Sequence, residues 1–225
     1  MSMPTRRIAN TDVSTIGFGA MGIGGVTFGP TGMTLDERPA VLDRAYDLGC
    51  AFWDTANVYG DSEILIGEWF KQNPEKGRNI FLATKFGFVV DEHGVTLDLS
   101  PKAARECCDK SLKNLGVDYI DLVDPKVPIE ITVGAMADLA KEAYNVYPIA
   151  AVQLEYAPIT LDMENPQVGI LSTCRELGIA VVPWSPLAKG VLIGQYKSPN
   201  EFPEGDLRRF TPRFSAENFT KLLRL

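Results

Sequence analysis

Apolar residues recur along this chain in two alternating rhythms, one with the period of a helix and one compact enough for a buried strand. Val41, Leu42, Ala45 and Leu48 fall at helical spacing from Asp36 onward, and Gly49 closes the run directly before an apolar block over 50–53. The pattern then repeats. Ser62 is placed to cap a helix with Leu65, Ile66, Trp69 and Phe70 inward, leading to a strand over 80–84. Ser100 and Pro101 supply an N-cap and first-turn proline for a helix burying Ala104, Cys108, Leu112 and Leu115, which Gly116 ends before a strand over 117–123. A further helix is expected from Thr132, with Val133, Met136, Ala137 and Ala140 on one face, and another along Leu171, Cys174 and Leu177 before a strand over 179–183.

The pairs Leu48–Gly49, Leu115–Gly116 and Leu177–Gly178 share one design, a helix stopped by a residue suited to left-handed backbone and followed at once by a strand. Strands alternating with amphipathic helices predict a parallel sheet covered by helices. Reactive groups in such sheets stand at the carboxyl ends of the strands. Strands are legible near 14–18, 50–54, 79–85, 117–123, 150–155 and 179–183, fewer than the eight of a closed barrel. No strand or full helix is expected over residues 142–148, and the chain after Ser185 is rich in Pro, Gly and charge until a short helix is expected to begin at Ala216.

Phe52, Trp53, Asp54, Thr55, Ala56, Asn57, Val58, Tyr59 and Gly60 form the stretch where candidate chemistry concentrates. An apolar strand ends in a carboxylate, and a polar turn then delivers a phenol. If the next parallel strand ends at Lys85, its ammonium lies beside Asp54 and Tyr59, because neighbouring strands are about 4.8 Å apart. A cation there stabilises the phenolate and makes a tyrosine a better proton donor. Singly, each residue also has a plain structural reading: a turn carboxylate, a half-buried aromatic, a solvated strand end. Residues 14–25, with glycines at 17, 19, 22, 24 and 25, read as a strand breaking into a glycine-rich loop, either a ligand approach or simply a surface loop. They do not match the spaced dinucleotide fingerprint.

Charge and composition narrow the class. A formal charge of −7 leaves no basic footprint for nucleic acid or an anionic membrane, and 45% hydrophobic residues suffice for a real core. No apolar run approaches the roughly 20 residues that span a bilayer, and no leader pattern opens the chain, so a cytoplasmic protein is expected. Cys50, Cys107, Cys108 and Cys174 sit within apolar patterns and read as reduced packing residues.

The motifs DTANVYG at 54–60 and ATKFG at 83–87 resemble the aldo-keto reductases. GFGAMGIGG at 17–25, the segment 116–122, AAVQLEY at 150–156 and WSPLAKG at 184–190 extend the resemblance, in order, over nearly the whole chain. It is nearest to the branch of potassium-channel β subunits and fungal and bacterial aldehyde reductases. The resemblance implies an α/β fold of (β/α)8 TIM-barrel type, incomplete here, with the regions of strands 5 and 8 missing, and a single NADP-dependent oxidoreductase domain over 1–225. It also implies NADPH as cofactor. Met21 and Asp54 would border the nicotinamide ribose, Gln153 would bind the carboxamide, Trp184 would stack on the ring, and Ser185, Pro186, Leu187 and Ala188 would follow the pyrophosphate. The implied reaction reduces a small-molecule aldehyde or ketone, with Tyr59 protonating the oxygen and Lys85 and Asp54 tuning it.

Three departures accompany the resemblance. The family's fourth catalytic residue, a histidine shortly after an Asp–Leu pair, has no counterpart, since Asp121–Leu122 runs through Val123 into Asp124–Pro125. His93, the only histidine, sits in an expected hairpin between Phe88 and Leu97 and does not inherit the role. The fifth strand and its helix are expected to be missing between Glu142 and Ala143, and the last βα units that grip the adenosine 2′-phosphate are expected to be absent. A catalytically weak NADP-binding partner or regulatory subunit is therefore the second functional reading. A barrel aldolase with Lys85 as Schiff-base lysine is the third.

Overall fold

A computed structural model of the chain describes residues 3–25, 33–91, 94–98, 100–120, 122–125 and 149–224. The chain divides into two compact units, one of Met1–Arg6, Asp12–Thr27 and Thr31–Val127, the other of Arg7–Thr11, Phe28–Pro30 and Pro128–Leu225.

A two-stranded ribbon, β1 (Thr5–Ile8) and β2 (Thr11–Ser14), precedes the first parallel strand, β3 (Gly17–Gly19). The expected strand over 14–18 is thus split. Ser14 ends β2, and its Oγ accepts from the amides of Ala51 and Phe52, both at 3.0 Å, while donating to the Ile16 carbonyl at 2.9 Å. That side chain occupies the sites a continuous strand would use.

The first unit contains a four-stranded parallel sheet in the order β3, β4 (Phe52–Asp54), β5 (Phe81–Phe86), β8 (Leu122–Pro125). Helix α1 (Arg38–Asp47) joins β3 to β4. Helices α2 (Ser62–Gln72) and α3 (Pro74–Gly77) join β4 to β5. The core holds Ala20, Ile23, Leu42, Trp53, Ile66, Trp69, Ile80, Leu82 and Leu115. Trp53 and Trp69 pack with ring centroids 4.8 Å apart, and Trp53 stacks on Phe70 at 6.0 Å. Leu48, expected inward, is 52% exposed, because α1 has already ended and turns through Gly49 at φ +77°. Ser62 does not cap α2. It is fully buried as the first helical residue, and its hydroxyl pairs with that of Thr55 at 2.8 Å.

The hairpin expected between Phe88 and Leu97 is present as β6 (Phe88–Asp91) and β7 (Gly94–Leu97), paired antiparallel. Helix α4 (Pro101–Leu115) follows, with the expected Ser100 cap accepting from the Ala103 amide at 3.1 Å and Gly116 left-handed at φ +65°. Its most buried residues are Ala103, Ser111 and Leu115, a stripe turned by about one position from the expected one. The two helices cross closely at Gly67 of α2, where a Cβ would lie 2.3 Å from the Asn114 carbonyl oxygen and 2.9 Å from that of Leu115, so no side chain fits there. Strand β8 starts at Leu122, later than expected, and 117–120 form no strand.

The second unit contains the parallel pair β9 (Ala151–Glu155) and β10 (Ala180–Trp184), joined through α5 (Ile170–Leu177) and Gly178 at φ +70°. Its core is Leu154, Met163, Ile170, Cys174 and Ile179. The polar stretch after Ser185 builds a further core that its composition conceals: Val191, Phe202, Phe214 and Phe219 are all buried, the last on α6 (Ala216–Leu222). Short 3-10 turns separate these residues and bring them together. The helix expected from Thr132, the segment 142–148 and His93 lie outside the described residues.

Candidate active site

Strand β4 is only three residues long, and burial fixes it. Phe52 and Trp53 are 5% and 0% exposed, and Phe52 meets Phe81 edge to face at 5.3 Å. Trp53 Nε1 donates to the Cys50 carbonyl at 2.8 Å. With both rings locked into the core, Asp54 emerges at the carboxyl end of the sheet. Parallel register sets Asp54 opposite Ala83, so Lys85 lies two residues farther along β5. A lysine side chain is long enough to reach back across that step.

Lys85 does so. Its Nζ donates to Asp54 Oδ1 at 2.5 Å and to the Thr55 carbonyl at 2.7 Å, and it lies 5.0 Å from the centroid of the Tyr59 ring. The residue is 2% exposed. A buried ammonium costs several kcal/mol unless its charge and donors are met. A carboxylate, a carbonyl and an aromatic face together meet them. The turn itself is pinned by backbone bonds: Thr55 N–H donates to the Ala83 carbonyl at 2.8 Å, Asn57 N–H to the Lys85 carbonyl at 3.1 Å, and Tyr59 N–H to the Ala56 carbonyl at 3.0 Å.

Behind the corner, Glu63 is 3% exposed and accepts from Thr84 Oγ1 at 2.8 Å and Asn114 Nδ2 at 3.1 Å, tying α2, β5 and α4 together beside Lys85. Glu63 is not among the residues expected at the site, although a carboxylate three residues before Ile66, on the buried stripe of α2, is a readable signal. Arg38 and Asp61, also missed, form an ion pair at 2.6 Å. They are far apart in sequence, and nothing local announces their meeting. Met21 is half-buried and precedes the 3-10 turn Gly22–Gly24 in the same unit.

The second unit carries the other expected positions. Gln153 is half-buried in β9, opposite Val182. Trp184 ends β10 and is 38% exposed, while Leu187 is 54% exposed and Ala188 fully buried. Ser185, Ala188 and Lys189 all have positive φ, at 56°, 50° and 54°, which L-residues adopt only at a cost. Ser185 anchors the loop, its carbonyl accepting from Ala188 N–H at 2.8 Å and its Oγ from Lys189 N–H at 3.2 Å.

Cations frame this loop. Arg208 Nη1 donates to the Lys189 carbonyl at 2.7 Å, forks onto Asp206 at 3.0 and 2.7 Å, and lies over the rings of Phe202 and Tyr196 at 4.5 and 4.7 Å. The guanidinium holds the fully buried Asp206 carboxyl below its ordinary range. Arg213 pairs with Glu155 at 2.5 Å. Burial lowers the Lys189 pKa, Glu155 partly restores it, and Arg213 and Arg208 lower it further.

Asp54, Tyr59 and Lys85 are thus brought together in one corner, with Met21 in the same unit. Gln153, Trp184, Ser185, Pro186, Leu187 and Ala188 belong to the second unit. Asp124 takes the register position beside Lys85 in β8, one residue before its end, in the stretch where the family's histidine has no counterpart.

The family model of the aldo/keto reductase family matches residues 15–144 and 141–224. The chain is 49% identical to the aldo-keto reductase str7 of Strobilurus tenacellus over 251 aligned positions, covering 99% of this chain and 73% of that protein. Since those positions outnumber the 225 residues of the chain, the alignment opens gaps in it. The chain is 42% identical to an aldo-keto reductase of Schizosaccharomyces pombe, yakc, named with NADP(+), covering 100% of this chain and 73% of that one. Among solved structures, the glycerol dehydrogenase AKR11B4 from Gluconobacter oxydans superposes with a TM-score of 0.78 at 26% identity, covering 99% of this chain and 76% of the other. The expected fold class stands: a (β/α)8 barrel in incomplete form, with six parallel strands among the described residues. By the matched model and by relatives at this identity and coverage, the chain belongs to the aldo/keto reductase family.

Proposed function

We propose that residues 1–225 act as one NADPH-dependent reductase domain that converts a small aldehyde or ketone to an alcohol, with Tyr59 as proton donor. The carrying observation is the buried Lys85 ammonium held between the Asp54 carboxylate and the Tyr59 ring. That cation favours the phenolate and so lowers the cost of proton release from Tyr59 to a developing alkoxide. Asp54 holds the ammonium in place, and the Thr55 carbonyl limits its rotation. NADPH, when bound, supplies the hydride that adds to the carbonyl carbon, and the Tyr59 proton completes the hydroxyl.

The residues of the second unit fit that cofactor. Trp184 offers an exposed ring at a strand end, suited to stacking on a nicotinamide. The Ser185–Ala188 loop is framed by Lys189, Arg208 and Arg213, cations of the kind that receive phosphates. Gln153 is assigned the carboxamide and Met21, with Asp54, the ribose. The name of yakc with NADP(+) supports the choice of cofactor. No helix among the described residues is long and apolar enough to cross a membrane, and a cytoplasmic location is part of the proposal.

Loss of NADPH absorbance on adding a reactive aromatic aldehyde tests the reading. The wild-type protein is expected to turn over, and Tyr59→Phe to lose about 10²- to 10⁴-fold in kcat with its fold intact. NADPH binding without turnover would instead favour the regulatory-subunit reading, which the absence of the family's catalytic histidine after Asp121–Leu122 motivates.

A further inference from the structure

Tyr59 lies five residues beyond Asp54, the last residue of β4, and the glycine loop lies beyond the end of β3, so the sheet alone holds neither. Backbone bonds fasten each to the strand ends: Ala20 N–H donates to the Asp54 carbonyl at 2.8 Å and Asn57 N–H to the Lys85 carbonyl at 3.1 Å. Between the two loops the closest approach is backbone to backbone, with the Cβ of Ser62 alongside at 2.8 Å from a Cβ on Gly24. A Cβ on Gly24 would lie 1.8 Å from the Tyr59 carbonyl oxygen, and one on Gly60 would lie 2.0 Å from the Gly24 carbonyl oxygen. Two glycines touching this way have no side chains to interlock, so dispersion alone gives little resistance to sliding.

Ala20 and Ile23 root the glycine loop in the core, and one charged side chain adds a directional tie from that loop to the turn. Arg38, the first residue of α1, donates from Nη1 to the Ile23 carbonyl at 2.6 Å and to Asp61 Oδ1 at 2.6 Å, and from Nη2 to Asp61 Oδ2 at 3.0 Å. Ile23 lies two residues past Met21, and Asp61 two past Tyr59. Arg38 is 8% exposed, so the pair is shielded from solvent on one side and not a loose surface contact. Only a planar fork can meet both carboxylate oxygens and a separate carbonyl at once.

We propose that Arg38 is a positioning residue for the reaction: through Asp61 and the Ile23 carbonyl it clamps the Met21–Gly25 loop onto the Tyr59–Asp61 turn and so fixes the phenol against Lys85. The proposal rests on the functional reading above for its kinetic consequence, but the clamp itself is measurable without turnover.

The test compares Asp61→Asn, Arg38→Lys and Arg38→Met with the wild type by amide hydrogen exchange and by the pH dependence of kcat. Asp61 has a half-exposed side chain, so its variant retains the fold even if Arg38→Met does not. Exchange is expected to rise together over 20–25 and 57–62 in each variant, while 81–85 stay protected. A shift of the phenol by about 1 Å is expected to lower kcat up to about 100-fold for Arg38→Met, with Arg38→Lys intermediate and Asp61→Asn mildest. The alkaline limb of kcat should move to higher pH, because a phenol farther from Lys85 holds its proton more tightly. A purely structural role would lower kcat equally at every pH and deprotect 81–85 as well, which overturns the proposal. Wild-type exchange or kcat in all three variants also overturns it. Should the wild type oxidise no NADPH, the functional reading fails, and exchange at the two loops alone decides whether Arg38 clamps them.

Discussion

The Lys85 corner and the Trp184 loop are built on opposite principles. In the first, a charged side chain is buried to 2% exposure and every restraint on it is electrostatic or a core contact. In the second, the aromatic ring is left 38% exposed, and the restraint is backbone held in left-handed conformations at three non-glycine residues. Left-handed backbone costs roughly 1 to 2 kcal/mol per L-residue, and the bonds from Ser185 and Arg208 offset it. The difference matches the demands of the proposed chemistry. A proton donor must be tuned by a neighbouring charge, which works best away from water, whereas a cofactor platform must stay open and keep its shape.

Lys85→Met should produce the largest effect that separates the two. It leaves Asp54 without its cation, so a loss of about 3 to 5 kcal/mol in stability, measured by denaturant unfolding, is expected together with loss of turnover. A fully stable Lys85→Met would break the comparison, since the corner would then owe nothing to the ion pair. Asp206→Asn tests whether the second unit has its own electrostatic keystone. Arg208 holds the Asp206 pKa below the unfolded value of about 3.9, so its contribution is present above that pH and is lost as pH falls through the folded value. Wild-type thermal stability should therefore decline on acidification below about pH 4. The variant should start lower at neutral pH and lose less. Trp184→Ala is the mildest: with the ring partly exposed, stability should change by about 1 to 2 kcal/mol. Quenching of tryptophan fluorescence by NADPH should weaken. A large drop in melting temperature would show that the ring supports the loop instead of offering it to a ligand.

Much of this architecture was legible before any coordinates. Gly49, Gly116 and Gly178 all take the left-handed angle expected of helix-closing glycines, because that requirement is local. The Ser100 cap and the Phe88–Leu97 hairpin followed for the same reason. Misreadings arose where a distant partner intervened. Ser62 pairs with Thr55 in place of capping its helix, and α4 buries Ser111, on a helix whose backbone at Asn114 and Leu115 comes up against Gly67 of α2. The Phe202, Phe214 and Phe219 core was hidden because its members are spread through a polar stretch and meet only after several short turns.

For the candidate site the division is similar. Asp54, Tyr59 and Lys85 could be named from residue type, strand-end position and family pattern, since each belongs to a short motif whose spacing is set by strand and turn geometry. Their burial, the 2.5 Å contact and the choice of Thr55 carbonyl as second acceptor depended on sheet register and core packing. Arg38 and Asp61 were beyond reach, for an ion pair between a helix start and a loop has no periodicity to betray it. The sequence by itself determined the local turns, the helix and strand alternation and the reactive side chains. Tertiary structure alone decided which charges lost their water and which found partners, because desolvation depends on what the rest of the chain brings alongside.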